Sequence, residues 1–414
     1  VEITRGYKAE LDVNNEQRTL LLQCAGTARW AWNWGLARRK QEYEDTGKSS
    51  NAIEQHRQLN ALKAEEYPWL YNYSKAIPQE ALRDLDKAYQ NFFRRVKNGD
   101  KKPGFPKFKS RKCGIGSFRL TGAIHVKKDR IKLPRIGWLR LKEHGYIPSE
   151  NIHILSATVS EKAGRWFVSI QCREEIQDRE ATGKPVGVDL GIKTMAVCSD
   201  GRKFENPKAL RKAQCKLARL QRELARRKRG GQNWKRTKAK IARLHYRIAN
   251  IRKDALHKTT SDICATSKPD AERPVIVAIE DLNVSGMLKN HCLARAIADV
   301  GMGEFRRQIE YKTLWNGEQL FAADRFFPSS RLCSVCGCIN SELKLSDREW
   351  ICDCGAVLDR DLNAAINLKN LAVRRVPPEQ AERQTLAESD VRLAAVLQAA
   401  SSKQEPSIES QARF

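Results

Sequence analysis

Three short stretches of this chain end on a carboxylate where a folded protein would not ordinarily leave one: V-G-V-D-L-G-I-K around Asp189, V-I-V-A-I-E-D-L around Glu280 and D-R-D-L-N-A-A-I-N-L around Asp361. The first two are apolar, β-branched runs that read as buried strands, and a charge set into or just after such a run must be paired or bound to metal. A single acid at a strand end is ordinarily a helix cap or half of an ion pair. Three from distant positions suggest one metal site instead. Two Mg²⁺ ions held by three carboxylates, one bridging both, activate a water and stabilise the leaving oxygen in phosphodiester hydrolysis. Such hard ions ask for Asp and Glu, because His or Cys would bind them poorly.

Between Glu280 and Asp361 lies a second set of ligand-type residues. Cys333 and Cys336 form a C-x-x-C knuckle, and Cys352 and Cys354 supply a C-x-C pair further on. Four thiolates at this spacing in a reduced compartment predict a structural zinc ribbon, closed and therefore not catalytic. Cys338 is a spare sulfur that could replace a neighbour in the quartet.

The elements that position these groups sit in a strongly basic chain. Its 414 residues carry a net charge of +27 with a sequence pI near 9.7, which points to a polyanion, either nucleic acid or a membrane surface. No apolar run approaches the roughly 18 residues of a spanning helix, and V-E-I-T-R-G-Y-K-A-E-L has no signal-peptide core. A cytoplasmic protein with no membrane partner is expected, its twelve cysteines thiols or metal ligands. The length suggests two to four domains.

An N-terminal strand over residues 1–13 leads into a helical region over 14–100. Asn14-Asn15 offers a cap before the Trp30, Trp32, Trp34 segment, and Leu82, Leu85, Tyr89, Phe92 and Val96 recur at helical spacing after Pro78. Core packing is the expected fate of these aromatics. Residues 101–182 read as strands, with I-K-L-P-R-I-G-W-L-R-L-K, I-H-I-L-S-A-T-V-S and R-W-F-V-S-I-Q-C-R alternating and the last two joined at E-K-A-G. A small barrel or curled sheet follows. Before it, K-K-P-G-F-P-K-F-K-S-R-K interleaves Phe105 and Phe108 with bases, a mixture suited to a phosphate backbone with exposed bases or to a merely solvated loop.

Residues 207–258 hold 19 Lys and Arg against Glu223 and Asp254. Leu210, Ala213, Leu217, Leu220 and Leu224, then Ile241, Leu244, Ile248, Ile251 and Ala255 after Gly230-Gly231, predict a helical hairpin with one apolar seam and a basic exterior. The scarcity of acids favours contact with nucleic acid over an ordinary surface whose lysines pair with glutamates.

G-V-D-L-G-I-K, A-I-E-D-L-N, F-P-S-S-R-L-C-S-V-C-G and C-G-A-V-L-D-R-D-L-N-A-A-I-N-L resemble, in order and spacing, the TnpB (OrfB) proteins of insertion sequences, relatives of the type V CRISPR effectors. The resemblance runs over residues 1–372. It implies an α/β multidomain protein. In this reading a RuvC-type, RNase H-like nuclease domain (183–330 and 358–372) carries Asp189 on its first strand, Glu280 on its fourth and Asp361 on a late helix. The family pattern selects Asp361 of the D-R-D pair, with Asp359 in reserve. The basic hairpin would be an insertion in that domain, 331–357 the inserted zinc ribbon, 1–13 with 101–182 a β-barrel-like wedge domain, and 14–100 a recognition domain.

The implied activity is Mg²⁺-dependent cutting of double-stranded DNA beside a short adjacent motif. A guide RNA transcribed from the end of the protein's own element would direct it, bound to a monomer in a prokaryotic cytoplasm at the nucleoid. Lys75 and Gln79 fit a helix that reads that motif. A guided DNA-binding regulator that does not cut, and a transposase acting without RNA, are the alternatives. Residues 373–414 carry no motif and read as weakly helical or disordered.

Overall fold

The computed structural model describes residues 2–375 apart from Asn151, Gln177, Asp178 and Leu345. The described chain divides into two compact units, Val1–Ile176 and Gln177–Phe414. Among the described residues no helix is long and apolar enough to cross a membrane.

In the first unit, β1 (Glu2–Asp12) runs into α1 (Asn15–Thr46) through the expected cap. Asn14 accepts from the Gln17 N–H while Gln17 reaches back to the Asn14 N–H, so two orphan donors are satisfied at once. Helices α2 (Ala52–Leu62) and α3 (Ala76–Lys97) complete the helical layer. Trp32 is buried with Leu36, Leu85 and Tyr89, as core packing requires, while Trp30 stacks against Trp34 at the margin. The α3 stripe is shorter than expected, for Val96 is exposed.

Strands β2 (Ser117–Leu120), β3 (His125–Lys127), β4 (Arg130–Leu133), β5 (Gly137–Leu141), β6 (His153–Lys162) and β7 (Arg165–Glu175) join β1 in a seven-stranded antiparallel sheet ordered β2-β6-β7-β1-β5-β4-β3. The edge strands β2 and β3 are not paired with each other among the described residues. The run from Ile131 to Lys142 is two strands, because Pro134 cannot donate to a ladder and Arg135 turns through a positive φ of 64°. Ala163 and Gly164, with φ of 57° and 84°, close β6 on β7. Alanine is strained there, and Ala163→Asn is expected to stabilise this protein by about 0.5 kcal/mol, read as a rise in denaturant midpoint.

In the second unit, β8 (Val186–Leu190), β9 (Thr194–Cys198) and β10 (Lys203–Glu205) form an antiparallel meander. The basic helices α4 (Ala209–Ala225) and α5 (Gln232–Ile263) follow, then β11 (Ile276–Glu280), α6 (Val284–Met287), α7 (Ala294–Val300), α8 (Met302–Asn316) and β12 (Gln319–Ala323). The sheet order is β10-β9-β8-β11-β12, with β11 parallel to both β8 and β12. The small ladder of β13 (Glu349–Ile351) and β14 (Val357–Asp359) precedes α9 (Arg360–Arg375). Helix α9 takes in residues 373–375 of the expected tail, and the remaining tail lies outside the described residues.

Leu217, Leu220 and Ile241 bury the hairpin seam, but Ile251 is exposed. Asp299 of α7 accepts from the Leu210 N–H at 3.1 Å and from Arg252 at 3.2 Å. It thereby caps α4, whose Lys208 offers no side-chain cap, and ties both basic helices to α7.

Candidate active site

The period of two in β8 and β11 decides where the acids point. Val186, Val188, Val277 and Ile279 pack against residues of α5, α7 and α8, whereas Ile276 and Ala278 pack with Leu368 and Ala372 of α9. Both faces are covered, which explains the uninterrupted apolar runs. Gly187 and Asp189 therefore share the α9 face, as do Ala278 and Glu280. Val188 pairs with Ile279, so Asp189 and Glu280 stand side by side at the carboxyl ends of neighbouring parallel strands.

Helix α9 reaches that face by very close approach. A Cβ at Gly187 would sit 2.0 Å from the Ala365 carbonyl oxygen and 2.6 Å from the Lys369 nitrogen. Ala364 and Ala365 are buried at the contact. One turn toward the N-terminus, Asp361 comes near Asp189. Burial, then the charges of Glu280 and Asp361, push the Asp189 carboxyl up to about 8, with Arg360 opposing. The negative charges of Glu280 and Asp361 thus reach Asp189 from the neighbouring strand and from the first turn of α9.

Neighbouring acids are occupied elsewhere. Asp359 is the N-cap of α9, its Oδ1 accepting from the Asp361 and Leu362 N–H groups at 3.0 Å each, and its Oδ2 takes the Lys203 ammonium at 2.9 Å. Burial would raise its carboxyl, but the Leu362 N–H and Lys203 outweigh that and hold it below the usual range. Asp281 is paired with Arg306 and, at 3.2 Å, with Arg325. Asp361 has only Arg348, at 3.7 Å, for an ion-pair partner among the described residues.

All three clustered acids are half-buried rather than enclosed. Burial nonetheless leads the causes that raise the Asp189 carboxyl. Asp189 and Glu280 stand at the carboxyl ends of two interior strands of the sheet.

The cysteines gather as expected. The sulfurs of Cys333, Cys336, Cys352 and Cys354 lie within 4.8 Å of one another, and Cys338 is outside the set. Cys333 and Cys354 are 3.9 Å apart and Cys336 and Cys352 3.5 Å. A tetrahedral zinc with Zn–S near 2.3 Å needs sulfurs about 3.8 Å apart, so the donor set fits. Each knuckle turns on a glycine, Gly337 at φ 79° and Gly355 at φ 83°, with its N–H bonded to the Cys333 and Cys352 carbonyls respectively. The first bond spans four residues and the second three, so the C-x-C pair closes a turn one residue tighter than the C-x-x-C pair. The Cys338 backbone and then the Cys352 thiol lower Cys336 to about 6, easing thiolate formation.

Lys75 and Gln79 lie one turn apart at the start of α3, exposed and half-buried. The Phe105–Phe108 loop is tethered to α1: Trp32 Nε1 donates to the Lys107 carbonyl at 3.0 Å, and Asn33 bonds both backbone groups of Lys109. Its two phenyl rings stay exposed, with Lys40 about equally close to each, at 5.5 and 5.3 Å.

Sequence reasoning missed Ser329, Asn363, Asn367, Arg348 and Asp299. Ser329 Oγ donates to Glu280 Oε1, and the two asparagines hold the backbone after Ser329. The i, i+4 spacing of the asparagines in D-L-N-A-A-I-N was the available signal.

Residues 167–291 match the OrfB IS605 family, described as a probable transposase, and 303–368 a Cas12f1-like TNB domain. A protein of Streptomyces pristinaespiralis named "Putative RNA-guided DNA endonuclease" is 36% identical over 376 residues, covering 89% of each chain. The chain belongs to the OrfB (TnpB) family. A second OrfB relative, from Escherichia coli K12 and carrying the same name with the suffix InsQ, is 35% identical over 88% of this chain and 91% of its own. Residues 3–48 match a helix-turn-helix domain, although this OrfB protein forms a strand and a single helix there. Its fold is also similar to the Cas12f1 chain of a cryo-EM Cas12f1–sgRNA–target DNA complex, with a TM-score of 0.54 at 14% identity over 89% of this chain and 99% of the other.

Proposed function

We propose that this protein is an RNA-guided DNA endonuclease of a transposable element, cutting double-stranded DNA beside a short adjacent motif with one RuvC-type site. The observation that carries the reading is that Asp189 and Glu280, at the carboxyl ends of β8 and β11, and Asp361, in the first turn of α9, lie close enough for the charges of the other two to act on Asp189. Three antiparallel strands continued by two parallel ones, with the acids on the first and fourth, support an RNase H-like core. Residues 183–330 with 358–372 are read as that nuclease domain, 331–357 as its zinc ribbon, 1–13 with 101–182 as a wedge domain and 14–100 as a recognition domain.

Asp189, Glu280 and Asp361 would hold two Mg²⁺ ions, which when bound activate a water and stabilise the leaving oxygen. The chain's own residues prepare the site. Ser329 fixes one oxygen of Glu280, and Asp359 caps α9 so that Asp361 need not. Arg348 and Arg360 bring positive charge to the acids' border, where a scissile phosphate would have to approach. The basic helices α4 and α5 suit a nucleic-acid backbone, and Lys75 with Gln79 suits a base-reading helix end.

Sequencing the RNA that co-purifies with the protein tests the reading. A discrete RNA that directs Mg²⁺-dependent cutting of matching DNA is expected. Guided binding without cutting would indicate a regulator, and strand-transfer products in an RNA-free reaction a transposase. For the ribbon, elemental analysis should find one zinc per chain, reduced to about a tenth by Cys336→Ser and unchanged by Cys338→Ser. Equal loss in both variants would put Cys338 among the ligands.

A further inference from the structure

We propose that Ser329 is a positioning residue for Glu280, held in place by a clamp that joins the cysteine knuckle to the helix carrying Asp361. The inference rests on reading the three acids as a divalent-cation site. Glu280 ends its strand on a three-bond side chain, and such a chain has several rotamers at a half-exposed strand end. The neighbouring Asp281 is engaged by Arg306 and Arg325. What orients Glu280 is the buried Ser329 hydroxyl, which donates to Oε1 and leaves Oε2 for a cation.

Ser329 is itself not free to move. Its carbonyl accepts from Asn367 Nδ2 at 2.8 Å, and its N–H donates to the Phe327 carbonyl at 2.8 Å. Three residues on, the Leu332 carbonyl accepts from both Asn363 and Asn367, at 2.7 and 2.6 Å. The Ser334 N–H then returns to Asn363 Oδ1 at 2.9 Å. Both asparagines are buried, so each bond is shielded from water. The residue between Leu332 and Ser334 is Cys333, a member of the quartet. One continuous backbone segment therefore touches Glu280 at one end and the cysteine centre at the other. It is bolted along its length to α9, whose first turn carries Asp361. Two of the three acids are oriented through this single assembly.

Groups that orient a metal ligand commonly change metal affinity by about 10- to 100-fold when removed. The test compares Ser329→Thr with Ser329→Val, which add the same bulk and differ in the hydroxyl alone. Both are purified with zinc and their co-purifying RNA. Mg²⁺ is titrated with two readouts: cleavage of DNA matching that RNA, and thermal shift corrected by the Asp189→Asn protein for Mg²⁺ bound by RNA.

The Val variant is expected to need about tenfold more Mg²⁺ than the Thr variant in both readouts, with rates at saturating Mg²⁺ within about threefold. The Thr variant should match the parent. Indistinguishable Mg²⁺ dependence of Thr and Val would overturn the proposal, and so would equal maximal-rate losses in both. A parent protein whose Mg²⁺ thermal response equals that of Asp189→Asn would instead sink the metal-site reading beneath it.

Discussion

Asp189→Asn is expected to lower DNA cleavage by about 10³-fold or more while raising the stability of the metal-free protein. The two effects share one cause. In the folded chain burial and the charges of Glu280 and Asp361 push the Asp189 carboxyl up to about 8. In the unfolded chain it titrates near 4. Between those values the unfolded state loses its proton first, so metal-free stability falls as pH rises from about 4 to about 8 and is level above. Asparagine removes that penalty. Its advantage should be near zero at low pH and reach about 1–2 kcal/mol at pH 8, the usual scale for relieving a strained functional site. Mg²⁺ should narrow the difference by stabilising the parent alone. Thermal melts at pH 5.5 and 8, with and without Mg²⁺, check this, and guide and target binding should be unchanged. An Asn variant that is less stable than the parent at pH 8 without metal would contradict the electrostatic account.

Gly187→Val should damage the second unit severely. The glycine lies in a buried strand where valine would otherwise be favoured, and local propensity alone predicts a neutral change. Packing reverses this. A β-carbon would stand 2.0 Å from the Ala365 carbonyl oxygen and cannot be accommodated by a rotamer change, because the obstacle is helix backbone. Helix α9 must lift from β8, taking Asp361 from Asp189 and exposing Leu368 and Ala372. A loss of about 3–5 kcal/mol and of all cleavage is expected, within the range of severe core substitutions. Urea unfolding measures it. The Asp189→Asn and Gly187→Val proteins would then be equally inactive but shifted in opposite directions in stability.

The features legible in the sequence were those whose chemistry is local or whose spacing is rigid. Cys333, Cys336, Cys352 and Cys354 could be paired by eye because a knuckle is a contiguous turn. The runs before Asp189 and Glu280 read as strands because both faces are covered. Less legible was anything that depends on where one element meets another. Asp359 and Asp361 are chemically identical, and only the start of α9 at Arg360 makes one a cap and leaves the other to face Asp189. Val96 and Ile251 keep the helical period yet are exposed, since periodicity marks a face without saying how far the partner extends along it. Ser329 gave no signal because serine in a loop is ordinary, and its importance lies in Glu280, forty-nine positions earlier.

The order of these parts along the chain has a consequence during synthesis. Asp189 and Glu280 leave the ribosome well before α9, which alone can cover Gly187 and bring up Asp361. A nascent chain that has completed β12 owns most of its basic surface and two of its three acids, yet lacks the helix that completes the constellation. On the proposed assignment of Asp361, a protein built in this order stays harmless to nearby nucleic acid until translation has passed its last described helix. A polypeptide truncated before Arg360 would remain so permanently.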